Sequence, residues 1–148
     1  MLDKEVVFAH VAAELSSKIE ALQIEFDELQ KALKTETKSS AGDKHETGRA
    51  MAQLEQEKLS VQLTKTYALR DALSKVDPNQ THHIVQYGSL VKTSRGFFFF
   101  SVGLGNISVD TENVFCMTAT SPLGEKLLGK KMGDTIQMNG PIEIIGLC

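Results

Sequence analysis

Phe8, Ala12, Leu15, Ile19, Leu22, Phe26, Leu29 and Leu33 follow one another at alternating spacings of four and three residues, and Lys18, Glu20, Glu25, Glu28 and Lys31 lie between them. That spacing is the a/d seam of a coiled coil with solvated flanks. No Pro or Gly interrupts residues 2–41, so the pattern predicts one helix of roughly 34 residues, about 50 Å long at 1.5 Å per residue. The periodicity stops at Thr35–Gly42, a run of small polar residues closed by a glycine, which reads as a turn. A second helical arm starts near Asp43 and reaches about Val76, where Asp77-Pro78-Asn79 stops it. Its apolar positions are Met51, Leu54, Leu59, Val61, Leu63, Ala68, Leu69, Leu73 and Val76. The register through Met51, Leu54 and Val61 also takes in Lys58 and Lys65, so this seam is less regular. Two arms of similar length on a short turn bury both seams most simply as an intramolecular antiparallel hairpin, and hence as a monomer. A dimer of long helices is the alternative.

Past Thr81 the period changes to short β-like runs. The candidate strands are Ile84–Val91, Gly96–Val102, Asn106–Val109, Val114–Thr118, Thr135–Met138 and Ile142–Ile145, punctuated by glycines and charges. One short helix fits at Ser121–Gly129: Ser121 caps it, Pro122 suits its first position, Glu125 supplies part of a capping pattern and Gly129 ends it. In Phe97–Phe100, alternation sends Phe97 and Phe99 to one face and Phe98 and Phe100 to the other. The run is either a strand buried on both faces or an exposed aromatic docking edge. The reading is therefore an α+β chain. Residues 1–77 form a helical finger, 78–83 a linker and 84–148 a small β-rich domain with one short helix.

Charge follows the same division. Residues 1–80 carry 11 Lys and Arg against 14 Asp and Glu, and residues 81–148 carry five of each. The whole chain has 148 residues, a net charge of −3 and 41% hydrophobic residues. This argues against both an acidic disordered chain and a free-standing nucleic-acid binder, which usually carries a basic excess. No apolar run approaches the 18 or so residues of a membrane span, and the Met1-Leu2-Asp3-Lys4-Glu5 start lacks the features of a signal peptide. Cys116 and Cys148 show no metal-ligand spacing, which suits a reducing, cytoplasmic setting. Thr81-His82-His83 is a weak metal-like cluster that reads better as linker.

The chemistry gathers at the turn between the arms. Asp43 and Glu46 stand three residues apart in Ser40-Ala41-Gly42-Asp43-Lys44-His45-Glu46. Acids at the end of a helical finger can carry metal-binding charge into another protein's cavity. The same pair is also a capping-box pattern, with Asp43 as N-cap and Glu46 at the third helical position. A capping carboxylate can exchange a backbone partner for a metal at a cost of about 1 kcal/mol, so both roles stay open.

Ser121-Pro122-Leu123-Gly124-Glu125-Lys126-Leu127-Leu128-Gly129-Lys130, followed by Gly133-Asp134 and a strand, resembles the C-terminal signature of the bacterial Gre transcript cleavage factors. The Gly42-Asp43-Lys44-His45-Glu46 turn resembles the Gre finger tip, and the order of parts is the same over nearly the whole chain. The resemblance implies a C-terminal domain of the FKBP-like type that docks on RNA polymerase. It also implies a finger that enters the polymerase secondary channel, and the family's general association with transcription elongation and DNA-binding. Asp43 and Glu46 would act in trans at the polymerase active site. They would share Mg²⁺ with the polymerase and stimulate its own cleavage of backtracked RNA at the 3′ end, without the chain being an enzyme itself. Asp43 would be the metal ligand, and Glu46 a second ligand or the group that orients water. Lys38, Lys44 and Arg49 would contact RNA phosphate or polymerase; His45 has no assigned role. Two departures stand out. Thr47-Gly48-Arg49-Ala50 replaces the usual Asn-Ala-Glu-Tyr, and Lys38-Ser39-Ser40-Ala41 lacks an arginine-rich approach. They mark a divergent branch, in which a non-cleaving regulator or inhibitor of polymerase is the alternative. A prolyl isomerase, on the strength of an FKBP-like fold alone, is disfavoured by the absence of tryptophan and of an evident aromatic pocket. A plain coiled-coil scaffold leaves the C-terminal signature without a purpose.

Overall fold

The computed structural model describes residues 1–36 and 43–148, leaving out the side chains of residues 36 and 43–45. The chain folds as α1 (Lys4–Glu36), α2 (Asp43–Ser74), β1 (Leu90–Thr93), β2 (Gly96–Phe100), β3 (Gly105–Val109), β4 (Glu112–Met117), α3 (Pro122–Leu127), β5 (Thr135–Gln137) and β6 (Pro141–Leu147). This is the α+β arrangement expected, a helical hairpin followed by a six-stranded sheet with one short helix. Two compact units emerge: Glu14–Arg70, and Met1–Ala13 together with Asp71–Cys148.

In the first unit, Ile19 and Leu22 of α1 pack with Leu59 and Leu63 of α2, and Phe26 and Leu29 are half-buried beside them. The two helices share this one apolar cluster, as the arms of a hairpin do. Thr66 is a polar member of the buried stripe; it is satisfied because its Oγ1 donates to the Gln62 carbonyl at 2.7 Å. The expected second seam is corrected here. Met51, Leu54 and Val61 are exposed, because the helical period that buries Leu59, Leu63 and Thr66 turns those three residues to another side. A similar correction applies near the start of α1, where Val7 and Val11 are fully buried while Phe8 and Ala12 are only half-buried. A 3.6-residue helix drifts against a 3.5-residue seam, and these first turns belong to the unit that holds the sheet rather than to the hairpin seam.

Local chemistry fixes the ends of the helices. Asp3 Oδ1 accepts the Glu5 N–H at 2.9 Å and caps α1. Past α2, the Val76 N–H bonds to Leu73 in a tightened last turn, and Asp77 Oδ1 accepts the Asn79 N–H. Pro78 prevents continuation. Ser121 caps α3: its Oγ accepts the Gly124 N–H at 3.1 Å and donates to the Thr118 carbonyl at 2.8 Å.

The sheet order is β3-β4-β2-β1-β6-β5. β2 and β4 are parallel, and the other neighbours are antiparallel. Two hairpin turns are tied together: the Arg95 guanidinium, between β1 and β2, donates to the Met138 carbonyl at 2.8 Å and the Asn139 carbonyl at 2.6 Å between β5 and β6. Phe98 and Phe100 join Val91, Met117, Ile142, Ile144 and Leu127 in one core. Phe99 and its cross-strand partner Leu90 are fully buried toward the opposite face. There the Met1 sulfur lies against Gly146, Val76 lies against Gly88, and the Tyr87 hydroxyl donates to the Ala72 carbonyl. The Phe97–Phe100 run is thus the strand buried on both faces, not a docking edge. The expected strand Ile84–Val91 is also corrected. Residues 84–89 form turns, with the Gln86 N–H on Ser89 Oγ and Gly88 at φ +91°, so pairing starts only at Leu90.

Two predictions follow from the packing. Gly48 sits in α2 with nothing within 4 Å of where a Cβ would be, whereas a Cβ on Gly124 would overlap the Thr118 carbonyl oxygen and stand 2.8 Å from Ser121 Oγ. Gly48→Ala should stabilise the helix by about 1 kcal/mol, and Gly124→Ala should destabilise by about 1–3 kcal/mol; thermal melts followed by circular dichroism should move in opposite directions. The second prediction concerns pH. His82 is buried with Nδ1 2.8 Å from Ser89 Oγ. Burial first, and the Lys4 charge second, hold its pKa below the ordinary 6.5. The unfolded imidazole therefore takes up a proton below 6.5 that the folded one resists. Stability is complete above that value and falls as pH drops toward the lower folded pKa. The melting temperature should decline from about pH 7.5 to about pH 5.5, and His82→Asn should flatten the decline.

Candidate functional site

The expected turn before Asp43 lies, from residue 37 to residue 42, outside the described residues, and Asp43 to Glu46 of the expected tip open α2. Asp43 and Lys44 are the first two residues of α2, and their side chains, like that of His45, lie outside the described residues, as does the whole of Lys38. Glu46 and Arg49 are exposed. Their spacing of three places them on one helix face, where the carboxylate also meets the favourable end of the helix dipole. Glu46 is an exposed carboxylate one turn into α2, with Arg49 three residues further on. Among the described residues, no group of three or more His, Cys, Asp and Glu could hold a metal ion by itself.

The sheet unit carries two further groupings. One is an open concavity of about 500 Å³ whose lining includes Arg95, Phe97, Phe98, Asn106, Glu112 and Phe115. Phe115 is partly exposed and meets Phe98 edge to face, with ring centroids 6.2 Å apart. Phe115 is its one partly exposed ring, with Arg95 and Glu112 in the same lining.

The other grouping is buried and polar. His82 and Ser89 are hydrogen-bonded, and Ser89 Oγ also accepts the Gln86 N–H at 3.0 Å. Lys4, in the first turn of α1, is 5% exposed, and its Nζ has no hydrogen-bond partner. Burial holds the Lys4 amine below its ordinary 10.5, and the negative charges of Cys148 and Asp77 oppose that shift. Burial raises the Cys148 thiol, and the Lys4 charge lowers it. Cys116, deep in the sheet, is pushed up to about 12 by burial alone. The sequence pattern did not mark Lys4: a lone lysine at a helix start reads as surface. His82 lay in a stretch read as linker, and only the fold shows it buried against Ser89.

No family model and no curated protein matches the chain. Among solved structures, one described as the structure of the transcription factor Gfh1 is similar over 92% of each chain, at 20% identity and a TM-score of 0.37. A likeness of that degree carries no argument from that protein to this one.

Proposed function

We propose that this chain is a Gre-like transcription factor that binds RNA polymerase, with the end of the helical hairpin acting inside the polymerase secondary channel. The observation that carries the reading is the placement of Asp43 as the first residue of α2 with Glu46 exposed one turn later. The Gre-like Ser121–Lys130 segment and tip sequence support it. Two carboxylates are too few for a resident Mg²⁺, but they suit an ion completed by water, phosphate and a partner's acids. When bound, such an ion stabilises the attacking and leaving oxygens of phosphoryl transfer. In this reading Asp43 and Glu46 are the chain's contribution at the active site. Lys38, Lys44 and Arg49 offset the charge of RNA phosphate, and the bond cleavage belongs to the polymerase. The working form is a monomer in the cytoplasm, and the substrate is the 3′ end of backtracked RNA.

A second reading rests on Gly48. A glycine two residues past Glu46, in an exposed stretch of α2, weakens the helix where the acids must be held still. A loosened acid pair favours a chain that occupies the channel and inhibits without cleaving.

The two readings diverge on stalled, backtracked complexes. Asp43→Asn keeps the size of the side chain and an acceptor oxygen, yet loses the charge a metal ligand needs. Asp43→Asn and Glu46→Gln should each keep polymerase binding and lower stimulated cleavage by roughly tenfold or more at limiting Mg²⁺. Stimulation that survives Asp43→Asn would sink the metal role. Tight binding with no stimulation by the unmutated chain would establish the inhibitor instead.

A further inference from the structure

Arg95, between β1 and β2, and Lys126, in α3, both reach the turn between β5 and β6. Lys126 Nζ donates to the Gln137 carbonyl at 2.6 Å. The Arg95 guanidinium donates to the Met138 carbonyl at 2.8 Å and to the Asn139 carbonyl at 2.6 Å. Successive carbonyls of this turn thus accept from cations. The pairing of β5 with β6 ends at Gln137 and Pro141, so residues 138–140 stand outside it. Asn139 and Gly140 are exposed, at φ +53° and +103°. Turn-making accounts for both residue types, since Asn tolerates that region and glycine occupies it freely. The pair also has a chemistry of its own. Asn139 Cγ can close a five-membered ring on the Gly140 nitrogen, and a residue without a side chain leaves that nitrogen unshielded. Among the described residues, neither the Asn139 carboxamide nor the Gly140 N–H has a hydrogen-bond partner to restrain it. The approach of Arg95 depends on the same glycine, because a Cβ there would stand 2.8 Å from Arg95 Nη2.

We propose that Asn139-Gly140 is a self-modification site, in which the Arg95 guanidinium promotes loss of the Asn139 amide and steers the product to isoaspartate. The Gly140 nitrogen is the nucleophile once its proton is released. Negative charge then spreads onto the Asn139 carbonyl oxygen, the atom that Arg95 already holds with a charge-assisted bond. The nitrogen attacks Asn139 Cγ, a C–N bond forms, and the side-chain nitrogen leaves as ammonia with the proton that Gly140 gave up. Water opens the resulting cyclic imide. Attack at the backbone carbonyl carbon breaks its bond to nitrogen and leaves an isoaspartyl residue, whereas attack at Cγ leaves an aspartyl residue. The Arg95 bond polarises the backbone carbonyl and so favours the first. In that product the oxygen held by Arg95 belongs to a carboxylate, and the backbone between β5 and β6 runs through Cβ, one carbon longer. The whole change takes up water, releases ammonia and adds a negative charge to a turn on which two cations converge.

The test incubates the full chain in warm, mildly alkaline buffer and follows the tryptic peptide 132–148, whose one asparagine is Asn139. Mass spectrometry reads the exchange of carboxamide for carboxyl, and methyl transfer by an isoaspartyl methyltransferase reads the isoaspartyl share. Asn79, Asn106 and Asn113, followed by Gln80, Ile107 and Val114, are internal controls and should stay intact over the same interval. Arg95→Gln should slow the loss about three- to tenfold, a modest factor because solvent screens an exposed guanidinium, and should lower the isoaspartyl share. In the unmutated chain that share should be higher in the folded protein than in urea, and this arm depends on no variant. Equal or faster loss in Arg95→Gln, an isoaspartyl share that is the same folded and unfolded, or an Asn139 that outlasts the three control asparagines would each overturn the proposal.

Discussion

A strand of four consecutive phenylalanines cannot have a wet face. Because alternate residues of Phe97–Phe100 point in opposite directions, the sheet must be covered on both sides, and most of the architecture of this unit follows from that requirement. One side takes Leu127 of α3 and Val85 from the preceding loop. The other buries Phe99 and Leu90, with the first residues of the chain and the last turn of α2 beside it. Removing either of those large side chains would cost about 3–5 kcal/mol, a large share of a domain's stability. Residues 1–13 and 71–76 belong to this unit and supply part of the cover that its sheet needs.

The hairpin itself is held by much less. Its described core is Ile19, Leu22, Leu59 and Leu63, with Phe26 and Leu29 only partly covered. Each buried aliphatic side chain of this size contributes about 1.5–3 kcal/mol, while a helical glycine costs about 1 kcal/mol relative to alanine. Among the described residues toward the start of α2, no deep burial outweighs Gly48. The position of Glu46 is then governed by helix propensity and dipole more than by packing.

What could be read from the sequence was what local chemistry decides. The two long helices, the stop at Asp77-Pro78, the Ser121 cap and the alternation of Phe97–Phe100 all rest on neighbours in sequence, and all are present. The features that escaped depend on distant residues. Val7 and Val11 displaced Phe8 and Ala12 because the first turns of α1 serve the sheet unit. Met51, Leu54 and Val61 looked like seam but stand exposed, and polar Thr66 took a buried place by bonding its own helix. A bend at residues 83–84 and a turn at Tyr87-Gly88 replace the start of the expected strand at Ile84. At the candidate site, Glu46 and Arg49 lie exposed at the start of α2. The burial of Lys4 and His82 had no sequence signature, since nothing beside them in the chain predicts what covers them.

The contact of Met1 with Gly146 has a consequence for synthesis on the ribosome. Residues 14–70 can pair as soon as both arms have emerged, because every contact in that unit is local to the hairpin. The sheet unit must hold residues 1–13 in reserve until β6 appears, and the parallel β2–β4 pair must wait for β3 to form its hairpin with β4. Non-local contacts of this kind slow folding. During that interval the Met1 side chain waits for Gly146, a contact that closes almost the whole length of the given sequence.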